Sequence, residues 1–352
     1  MNWPGIIAHY RRHLPVDDNT QIVTLQEGDT PLIPVPRFVN AIGGRFQLHI
    51  KLEALNPTGS FKDRGMTMAV TAAKTRGAKI LVCASTGNTS ASAAAYAARA
   101  GLTAAVVLPH GKIAMGKLAQ ALIYGARIVP VDGNFDDALN VVRALGDQPG
   151  VEIVNSINPF RIEGQKTAAF EICDTLGRAP DRHYIPVGNA GNITAYWQGF
   201  KEYHAAGTIR TLPQIFGWQA AGAAPIVENR VIEHPETVAT AIRIGNPASW
   251  RQAGAARDES GGVIGSVSDG EILRAYQLIA ASEGIFVEPA SAAALAGVIK
   301  TQEQGGIPAD SLLTATLTGH GLKDPDTAIS VSDQLIKPVP PTLSAVLQAI
   351  QG

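Results

Sequence analysis

Short apolar runs alternate along the chain with longer segments whose small and apolar residues recur at helical spacing. KILVCAS at 79–85 is followed by the Ala-rich segment 89–101, and TAAVVLP at 103–109 by the helical pattern of 115–125. Runs that are apolar at every position predict strands buried on both faces, and helices between them predict parallel connections. The predicted strands that share this pattern are 79–85, 103–109, 126–133, 151–156, 183–188, 214–220, 285–289 and 311–319.

Two sets of these units predict an α/β fold with two doubly wound domains and mainly parallel sheets. Residues 245–263 have no clear period and predict a long loop, whereas 342–351 predicts a terminal helix. In such sheets ligands bind beyond the carboxyl ends of the strands. The polar stretches that follow the predicted strands are therefore the candidate sites.

The composition narrows the classes of protein to consider. Hydrophobic residues make up 45% and charged residues 17% of the 352 residues, which is typical of a folded globular chain. The net charge of −1 argues against a nucleic-acid-binding or membrane-surface role. Cys83 and Cys173 are too few and too far apart for a disulfide framework or a zinc site, so we expect reduced thiols and no metal. We find neither a membrane-length apolar run nor a secretion signal, and we expect a cytoplasmic location.

The stretch NPTGSFKDRG at 56–65 places a lysine directly after a run of turn-forming residues. Pro57 and Gly59 favour a turn, and Ser60 is a predicted N-cap for a helix that holds Lys62 in its first turn. The positive end of the helix dipole favours a neutral amine there, and a neutral lysine is the nucleophile that attacks an aldehyde. The alternative is a solvated lysine with Asp63 and Arg64 as charged neighbours, and this stretch alone leaves both interpretations open.

Two further polar loops follow predicted strands and open predicted helices. A helix N-terminus with free amides and hydroxyls favours an anion, and small residues allow a phosphate to approach the backbone. The second loop lacks the spacing and the lysine of a P-loop. Ordinary strand-to-helix turns are the alternative for both. The first loop comprises Ser85, Thr86, Gly87, Asn88 and Thr89, and the second comprises Gly188, Asn189, Ala190, Gly191 and Asn192.

Two other stretches carry candidate side chains. LTGHGLKD at 317–324 ends the last predicted strand and offers Thr318 as a hydroxyl and His320 as a base, although a lone histidine is more often structural. In NSINPFRIEGQKT at 155–167, Asn155, Ser156 and Arg161 are candidates for binding a charged substrate group, because arginine matches phosphate or carboxylate with two hydrogen bonds. The alternative for Arg161 is a surface residue at a helix start.

With these stretches in this order, the chain resembles the pyridoxal-phosphate enzymes of the tryptophan-synthase-β fold type, also called fold type II. NPTGSFKDRG is similar to their Schiff-base lysine segment, STGNTS to the asparagine loop beside the cofactor ring, and GNAGN to their phosphate loop. The resemblance covers most of the chain. It implies a small α/β domain at 56–155 that carries the Asn88 loop. A large α/β domain, formed by 1–55 together with 156–352, would carry the phosphate loop and Thr318.

Within this superfamily the chain resembles the threonine synthase family. LQEGDTPLIPVPR at 25–37 is similar to its opening segment, the phosphate loop reads GNAGN, and a threonine stands at 318 where dehydratases usually carry serine or cysteine. The resemblance implies a carbon–oxygen lyase that acts on phosphates and converts O-phospho-L-homoserine and water to L-threonine and phosphate. It also implies a homodimer. A serine/threonine dehydratase or a β-replacement synthase on the same fold is the alternative enzyme, and a non-catalytic anion-binding homologue is the alternative class.

The resemblance also implies a role for each candidate residue. Lys62 would hold pyridoxal 5′-phosphate and move protons, Asn88 would bind the phenolic oxygen of the ring, and Thr318 would face the ring nitrogen. The loop 188–192 would bind the cofactor phosphate, and the loop 85–89 the substrate carboxylate. The candidates for the substrate phosphate are Lys62, Asn155, Ser156, Arg161 and Asn189.

Overall fold

The computed structural model describes residues 2–85, 87–110, 115–133, 135–332 and 338–351. Its strands form two separate sheets, which confirms the predicted α/β class. The strands are β1 (Leu32–Pro34), β2 (Gln47–Leu52), β3 (Ile80–Ala84), β4 (Thr103–Pro109), β5 (Arg127–Val131), β6 (Val151–Ile153), β7 (Arg182–Pro186), β8 (Gln214–Ala220), β9 (Val263–Val267) and β10 (Leu312–Leu317).

Helices connect nearly all of these strands, as the alternating pattern predicts. None of the helices in the described ranges has the length and apolar character needed to span a membrane. The helices are α1 (Ile6–His9), α2 (Pro36–Ala41), α3 (Lys62–Thr75), α4 (Asn88–Ala100), α5 (Met115–Ile123), α6 (Phe135–Leu145), α7 (Pro159–Gln165), α8 (Thr167–Leu176), α9 (Gly191–Ala205), α10 (Pro225–Glu228), α11 (Trp250–Ser260), α12 (Asp269–Glu283), α13 (Pro289–Glu303), α14 (Pro325–Ser330) and α15 (Leu343–Gln351). Short 3-10 turns occupy Arg11–His13, Glu53–Leu55, Thr240–Ile242 and Gly321–Lys323.

The large sheet has the strand order β1-β2-β10-β7-β8-β9, and of these described strands only β1 pairs antiparallel. One face packs against α2, α12 and α13 through a core that includes Phe38, Ile272 and Leu295. The other face packs against α9 and α11, with Ile185 and Phe200 in that core. Burial on both faces explains why these strands read as continuous apolar runs.

The small sheet is all parallel, in the order β5-β4-β3-β6. Helices α3, α4 and α5 share one core with it, which includes Val70, Tyr96 and Val106. Helix α6 covers the other face, where Ala138 and Val142 are fully buried. The described strands of this sheet all lie between residues 80 and 153. Each of the two sheets is thus covered by helices on both of its faces.

Three local predictions are wrong. Residues 245–263 do not form one long loop, because α11 folds there with Ala253 and Ala256 buried against the large sheet. The stretch 285–289 contributes only an isolated bridge from Val287 to His320, and α13 begins at Pro289. Ser60 does not cap α3, whose N-cap is Phe61 without a side-chain hydrogen bond.

Candidate active site

The loops after β3, β6, β7 and β10 meet at the carboxyl ends of the two sheets. Phe61 N–H donates to the carbonyl of Thr318 at 2.9 Å, and Asn88 reaches across to Glu288. Asn189 Nδ2 donates to Ser156 Oγ at 2.8 Å. Each of the five predicted polar stretches therefore contacts a stretch that lies more than 30 residues away along the chain.

The turn before Lys62 is bound to the loop after β10 through the backbone. His320 N–H donates to the carbonyl of Gly59 at 2.9 Å, and Ser60 bridges Gly319. Gly59 has a φ of 81°, which only glycine adopts without strain. The turn therefore fixes where α3 starts, and the half-buried Lys62 places its Nζ 3.9 Å from the centroid of the Phe61 ring.

The residues after Lys62 are not solvated. Asp63 and Arg64 are both 0% exposed. Asp63 accepts hydrogen bonds from Thr58 N–H and Thr58 Oγ1 at 2.6 Å and from Ser92 Oγ of α4 at 2.6 Å. Its carboxylate thus ties the turn, α3 and α4 together, which excludes the interpretation of this stretch as an exposed charged surface.

Two glycines allow α3 and α7 to touch through their backbones. A Cβ added at Gly164 would lie 1.9 Å from the Arg64 carbonyl oxygen, and one added at Gly65 would lie 3.0 Å from the Arg161 carbonyl oxygen. Lys62 and Arg161 each precede one of these glycines by three residues, about one helical turn. The close approach of the helices therefore brings the two cationic side chains together.

Burial and this neighbouring charge together set the protonation of the amine. Burial and then the positive charge of Arg161 lower the pKa of Lys62 to about 7, and Glu288 acts in the opposite direction. Burial also lowers the pKa of Arg161 to about 10. The guanidinium donates from Nη1 to the Val154 carbonyl at 3.3 Å, while its buried Nε has no partner among the described residues. A cation with spare donors beside a neutral amine is suited to bind a phosphate.

Asn88, the first residue of α4, contacts a carboxylate that the sequence analysis did not identify. Its Nδ2 lies 3.1 Å from each carboxylate oxygen of Glu288. Burial raises the pKa of Glu288, while Asn88, Lys323 and Lys62 act against that shift. The only sequence signal for Glu288 was one acidic residue in an otherwise apolar stretch.

Ser291, also not identified from sequence, organises the loop that carries Thr318. Its Oγ accepts from the N–H groups of Thr318 and Gly319 at 2.9 Å and lies 3.0 Å from Thr318 Oγ1. When Ser291 gives its hydrogen to Thr318, the hydrogen of Thr318 is left to donate to another acceptor. A neutral ring nitrogen is such an acceptor.

The loop 188–192 presents unpaired amide groups at the N-terminus of α9. Nδ2 and Oδ1 of Asn192 are buried without a hydrogen-bond partner among the described residues. Ala190 has a φ of 64°, an uncommon left-handed conformation, directly before Gly191 starts the helix. Gly188 cannot carry a side chain without contacting Ile242 at 3.0 Å. An orphaned amide at a helix N-terminus fits an anionic group such as a phosphate.

Of the remaining candidate ligands, Asn155 and Asn189 already make hydrogen bonds within the protein, whereas Ser156 has a hydrogen left to donate. Asn155 accepts from Ala84 N–H at 3.0 Å and donates to the Ala84 carbonyl at 3.1 Å, so its amide holds the end of β3. Asn189 donates to Ser156 and accepts from Ala248 N–H at 2.9 Å. Ser156 Oγ therefore still has its own hydrogen to donate.

The N-terminus of α4 is only partly buried and has free space in front of it. Three residues of this loop are partly exposed, namely Ser85, Gly87 and Thr89. A Cβ added at Gly87 would have open space around it. Thr86 lies outside the described residues. Its neighbours nevertheless form a helix N-terminus that faces free space, as expected for a carboxylate-binding loop.

His320 has a local structural contact. Its Nδ1 accepts from Leu322 N–H at 3.1 Å and so caps the 3-10 turn Gly321–Lys323. The described residues hold no group of three or more His, Cys, Asp and Glu side chains arranged for a metal ion. The unpaired amide of Asn192, an amine of lowered pKa at Lys62 and a hydroxyl at Thr318 together fit pyridoxal phosphate.

Comparison with known proteins gives the family. A family model described as pyridoxal-phosphate dependent enzyme matches residues 23–319. A threonine synthase from Mycobacterium leprae is 58% identical over 99% of this chain and 96% of its own length, and one from Synechocystis is 57% identical over 99% and 91%. The structure of a threonine deaminase from T.th. superposes with a TM-score of 0.69 and 26% identity, covering 88% of this chain and 94% of that chain. The chain belongs to the pyridoxal-phosphate-dependent enzymes and, within them, to the threonine synthases.

Proposed function

We propose that the protein converts O-phospho-L-homoserine and water to L-threonine and inorganic phosphate, with pyridoxal 5′-phosphate as cofactor. The observation that carries this proposal is the pair Lys62 and Arg161. It combines an amine whose pKa is lowered to about 7 with a buried guanidinium whose Nε has no hydrogen-bond partner in the described part of the chain. A substrate that bears a phosphate needs such a second anion site, whereas the substrate of a dehydratase does not.

The cofactor would be held at four places. Lys62 would bond to its aldehyde carbon, Thr318 would donate to its ring nitrogen, and Asn88 would donate to its phenolic oxygen. The loop 188–192 would bind its phosphate, which would satisfy the unpaired Nδ2 of Asn192. When bound, the cofactor supplies an electron sink that stabilises negative charge at the α-carbon of the substrate. Because Thr318 is a hydroxyl, it leaves the ring nitrogen neutral.

Lys62 would move the protons. Its amine is half neutral near pH 7, so Nζ is able to accept a proton from Cα of the substrate near neutral pH. After passing that proton on, Lys62 would take a second one from Cβ, and the phosphate would depart from Cγ with the electrons of its C–O bond. Cγ then receives a proton, water adds its hydroxyl at Cβ, and Cα is reprotonated. One water is consumed and one phosphate is released.

The substrate would be held by two anion sites. Its carboxylate would lie at the N-terminus of α4, on Ser85, Gly87 and Thr89 together with Thr86 and Asn88 of the same loop. Its phosphate would lie between Arg161, Ser156, Asn189 and Lys62. Because both Asn155 amide atoms bind Ala84, Asn155 would act here by placing the loop.

The activity test measures inorganic phosphate and L-threonine together. O-Phospho-L-homoserine should yield both in equal amounts, and Lys62→Ala should yield neither. Formation of 2-oxobutyrate from L-threonine without phosphate release from O-phospho-L-homoserine would support a dehydratase instead. Absence of a visible absorbance band after adding pyridoxal phosphate to the wild-type protein would support a non-catalytic homologue.

Residues 56–155 and the remainder of the chain would form the small and the large domain, because each contains the strands of one sheet. A homodimer would cover the exposed apolar side chains of α15, among which Leu343 and Ile350 are 78% and 75% exposed. Sedimentation of the full chain against a chain ending at residue 340 tests that contact. The two buried free thiols, Cys83 and Cys173, fit the reducing conditions of the cytoplasm.

A further inference from the structure

Glu288 is a buried carboxylate to which the proposed mechanism gives no role. It is 5% exposed and stands at the N-cap of α13 without capping the helix through its side chain. Its backbone N–H donates to the Gly319 carbonyl at 2.9 Å. The carboxylate lies so close to Gly319 that a Cβ there would come within 2.4 Å of Oε1. Burying a carboxylate is unfavourable unless it is paired, so a site that holds one in this way calls for an explanation.

We propose that Glu288 is a positioning residue of the cofactor site, which fixes the Asn88 amide so that its second N–H is available to the phenolic oxygen of the cofactor. This inference rests on the proposed function, because it takes Asn88 as the ligand of that oxygen. It adds a residue from the large sheet's helical layer to a contact that otherwise belongs to α4.

The geometry of the two side chains restricts the amide to one orientation. Both carboxylate oxygens of Glu288 lie 3.1 Å from Nδ2 of Asn88. The two oxygens lie side by side, whereas the two N–H bonds of an amide diverge widely, so a single N–H serves the carboxylate. The second N–H then points elsewhere and is free to donate. In the reverse orientation the Asn88 carbonyl oxygen would face two acceptors with no hydrogen between them.

Burial disfavours the ionised form of Glu288, and most of the surrounding polar and charged groups partly offset this effect. Lys62 of α3 and Lys323 of the turn Gly321–Lys323 attract the carboxylate, Asn88 of α4 donates to it, and Asp324 repels it. The carboxylate in turn favours the charged form of Lys62, against burial and Arg161 of α7. Glu288 therefore has two separable effects, one on the orientation of Asn88 and one on the charge of Lys62.

The first experiment measures the orientation effect in the full-length protein loaded with pyridoxal phosphate. Glu288→Gln keeps the shape but removes the charge that fixes the amide, so we expect the visible absorbance band to change in position or in its pH midpoint. Asn88→Ala should change the same band. In the position of the band, the double variant should match Asn88→Ala alone, because Glu288 acts on the ring through Asn88.

The second experiment measures the charge effect without the cofactor. Acetylation of Lys62 by limiting acetic anhydride, followed by peptide mass spectrometry across a pH series, reports the pKa of its amine. Loss of the negative charge in Glu288→Gln should lower this midpoint by roughly one pH unit. Asn88→Ala, which leaves the carboxylate in place, should lower it less.

Controls separate the possible failures. Glu152→Gln, in a partly exposed ion pair with Arg76, should leave both measurements unchanged. Thermal unfolding establishes that each variant is folded. Glu288→Asp, which is too short to hold Asn88 in the same way, replaces Glu288→Gln in the absorbance measurement if that variant does not fold. A wild-type protein without any visible band contradicts the proposed function. A wild-type band that a folded Glu288 variant reproduces at every pH contradicts the role of Glu288 alone.

Discussion

The surroundings of Lys62 favour its neutral amine, and one neighbouring charge contributes to that. Burial is the larger cause of its lowered pKa and Arg161 the second, while Glu288 opposes both. A lysine with a pKa near 7 is about half neutral at physiological pH, so it can both accept and return a proton. The neutral fraction rises above that pH and falls below it.

Arg161→Met should raise the pKa of Lys62 above 7, because it removes a positive charge that disfavours the protonated amine. We expect an upward shift of about one unit, measured as the pH midpoint of Lys62 acetylation. Arg161→Lys is the matched control, since it keeps the charge and should keep the midpoint. The same control should raise KM for O-phospho-L-homoserine, because lysine cannot form the two parallel hydrogen bonds of arginine. An unchanged midpoint in a folded Arg161→Met variant would show that burial alone sets the pKa.

Local stretches of sequence were sufficient to select these candidate residues. Lys62, Asn88, Asn192 and Thr318 each stand in a turn after or beside a strand, and the structure places each of those stretches at the carboxyl ends of the sheets. Glu288 could not be predicted in this way. Its partner Asn88 is 200 residues away, and only the fold brings the two together.

At the scale of helices and strands, tertiary contacts determine the conformation of segments whose local sequence does not. Helix α11 contains Gly254 and a mostly polar sequence, so it lacks the apolar periodicity that predicts a helix. It forms because Ala253 and Ala256 pack on the large sheet. The stretch 285–289 reads as a strand from its apolar residues, yet Pro289 starts a helix and removes a backbone donor.

The contact between α3 and α7 should not tolerate a methyl group. Gly164→Ala places a Cβ where the Arg64 carbonyl now lies, so we expect a loss of about 2 kcal/mol in the free energy of unfolding. The pKa of Lys62 should rise at the same time, because the helices and their two cations separate. Gly254→Ala in α11 is the matched control, since open space surrounds it. That change should stabilise the protein by about 0.5–1 kcal/mol in urea unfolding. Equal effects of the two substitutions would contradict the backbone contact.

Arg64 anchors α3 to the large sheet's layer through buried ion pairs. It contacts Glu53 at 2.7 Å and Glu171 at 2.6 Å, and Lys51 also contacts Glu171 at 2.6 Å. Burial alone would raise the pKa of Glu171, but Arg64 and then Lys51 lower it to about 2. A carboxylate with a lowered pKa stabilises the fold above its unfolded pKa. This contribution is lost as the pH falls from about 4.5 towards 2.

Arg64→Met should therefore cost about 3–5 kcal/mol of unfolding free energy at pH 7, because it leaves two buried carboxylates with Lys51. The difference from wild type should shrink as the pH falls from about 4.5 towards 2, because the contribution of ionised Glu171 is lost in that range. Arg76→Met, which breaks the partly exposed pair with Glu152, is the control and should cost less than about 1 kcal/mol. Urea unfolding at several pH values measures both variants. A difference that stays constant with pH would contradict the role of ionised Glu171.

At the scale of the whole molecule, the site joins two sheets that share no strand. Lys62 and Asn88 come from helices that pack on the small sheet, whereas 188–192 and Thr318 follow strands of the large sheet. A ligand bound by all four must therefore contact groups carried by both sheets. Binding to the folded state alone then stabilises the entire chain.

Pyridoxal phosphate should raise the free energy of unfolding by about 2.7 kcal/mol at one hundred times its Kd, as mass action requires. Pyridoxal, which lacks the phosphate, should raise the thermal midpoint less at the same concentration, because it leaves the amide of Asn192 unpaired. Lys62→Ala should keep part of the phosphate-dependent shift while losing the visible band. Equal midpoints with and without the phosphate group would contradict the assignment of 188–192.

The glycine contact between α3 and α7 also limits how the site fluctuates. Because the helices meet backbone to backbone, the separation of their axes does not depend on the rotamers of intervening side chains. Arg161 is almost fully enclosed, so its charge has little freedom to move relative to the amine. We therefore expect the electrostatic field at Lys62 to vary little from one molecule to another. The amine should titrate as one sharp population, with a Hill slope near one rather than a broadened curve.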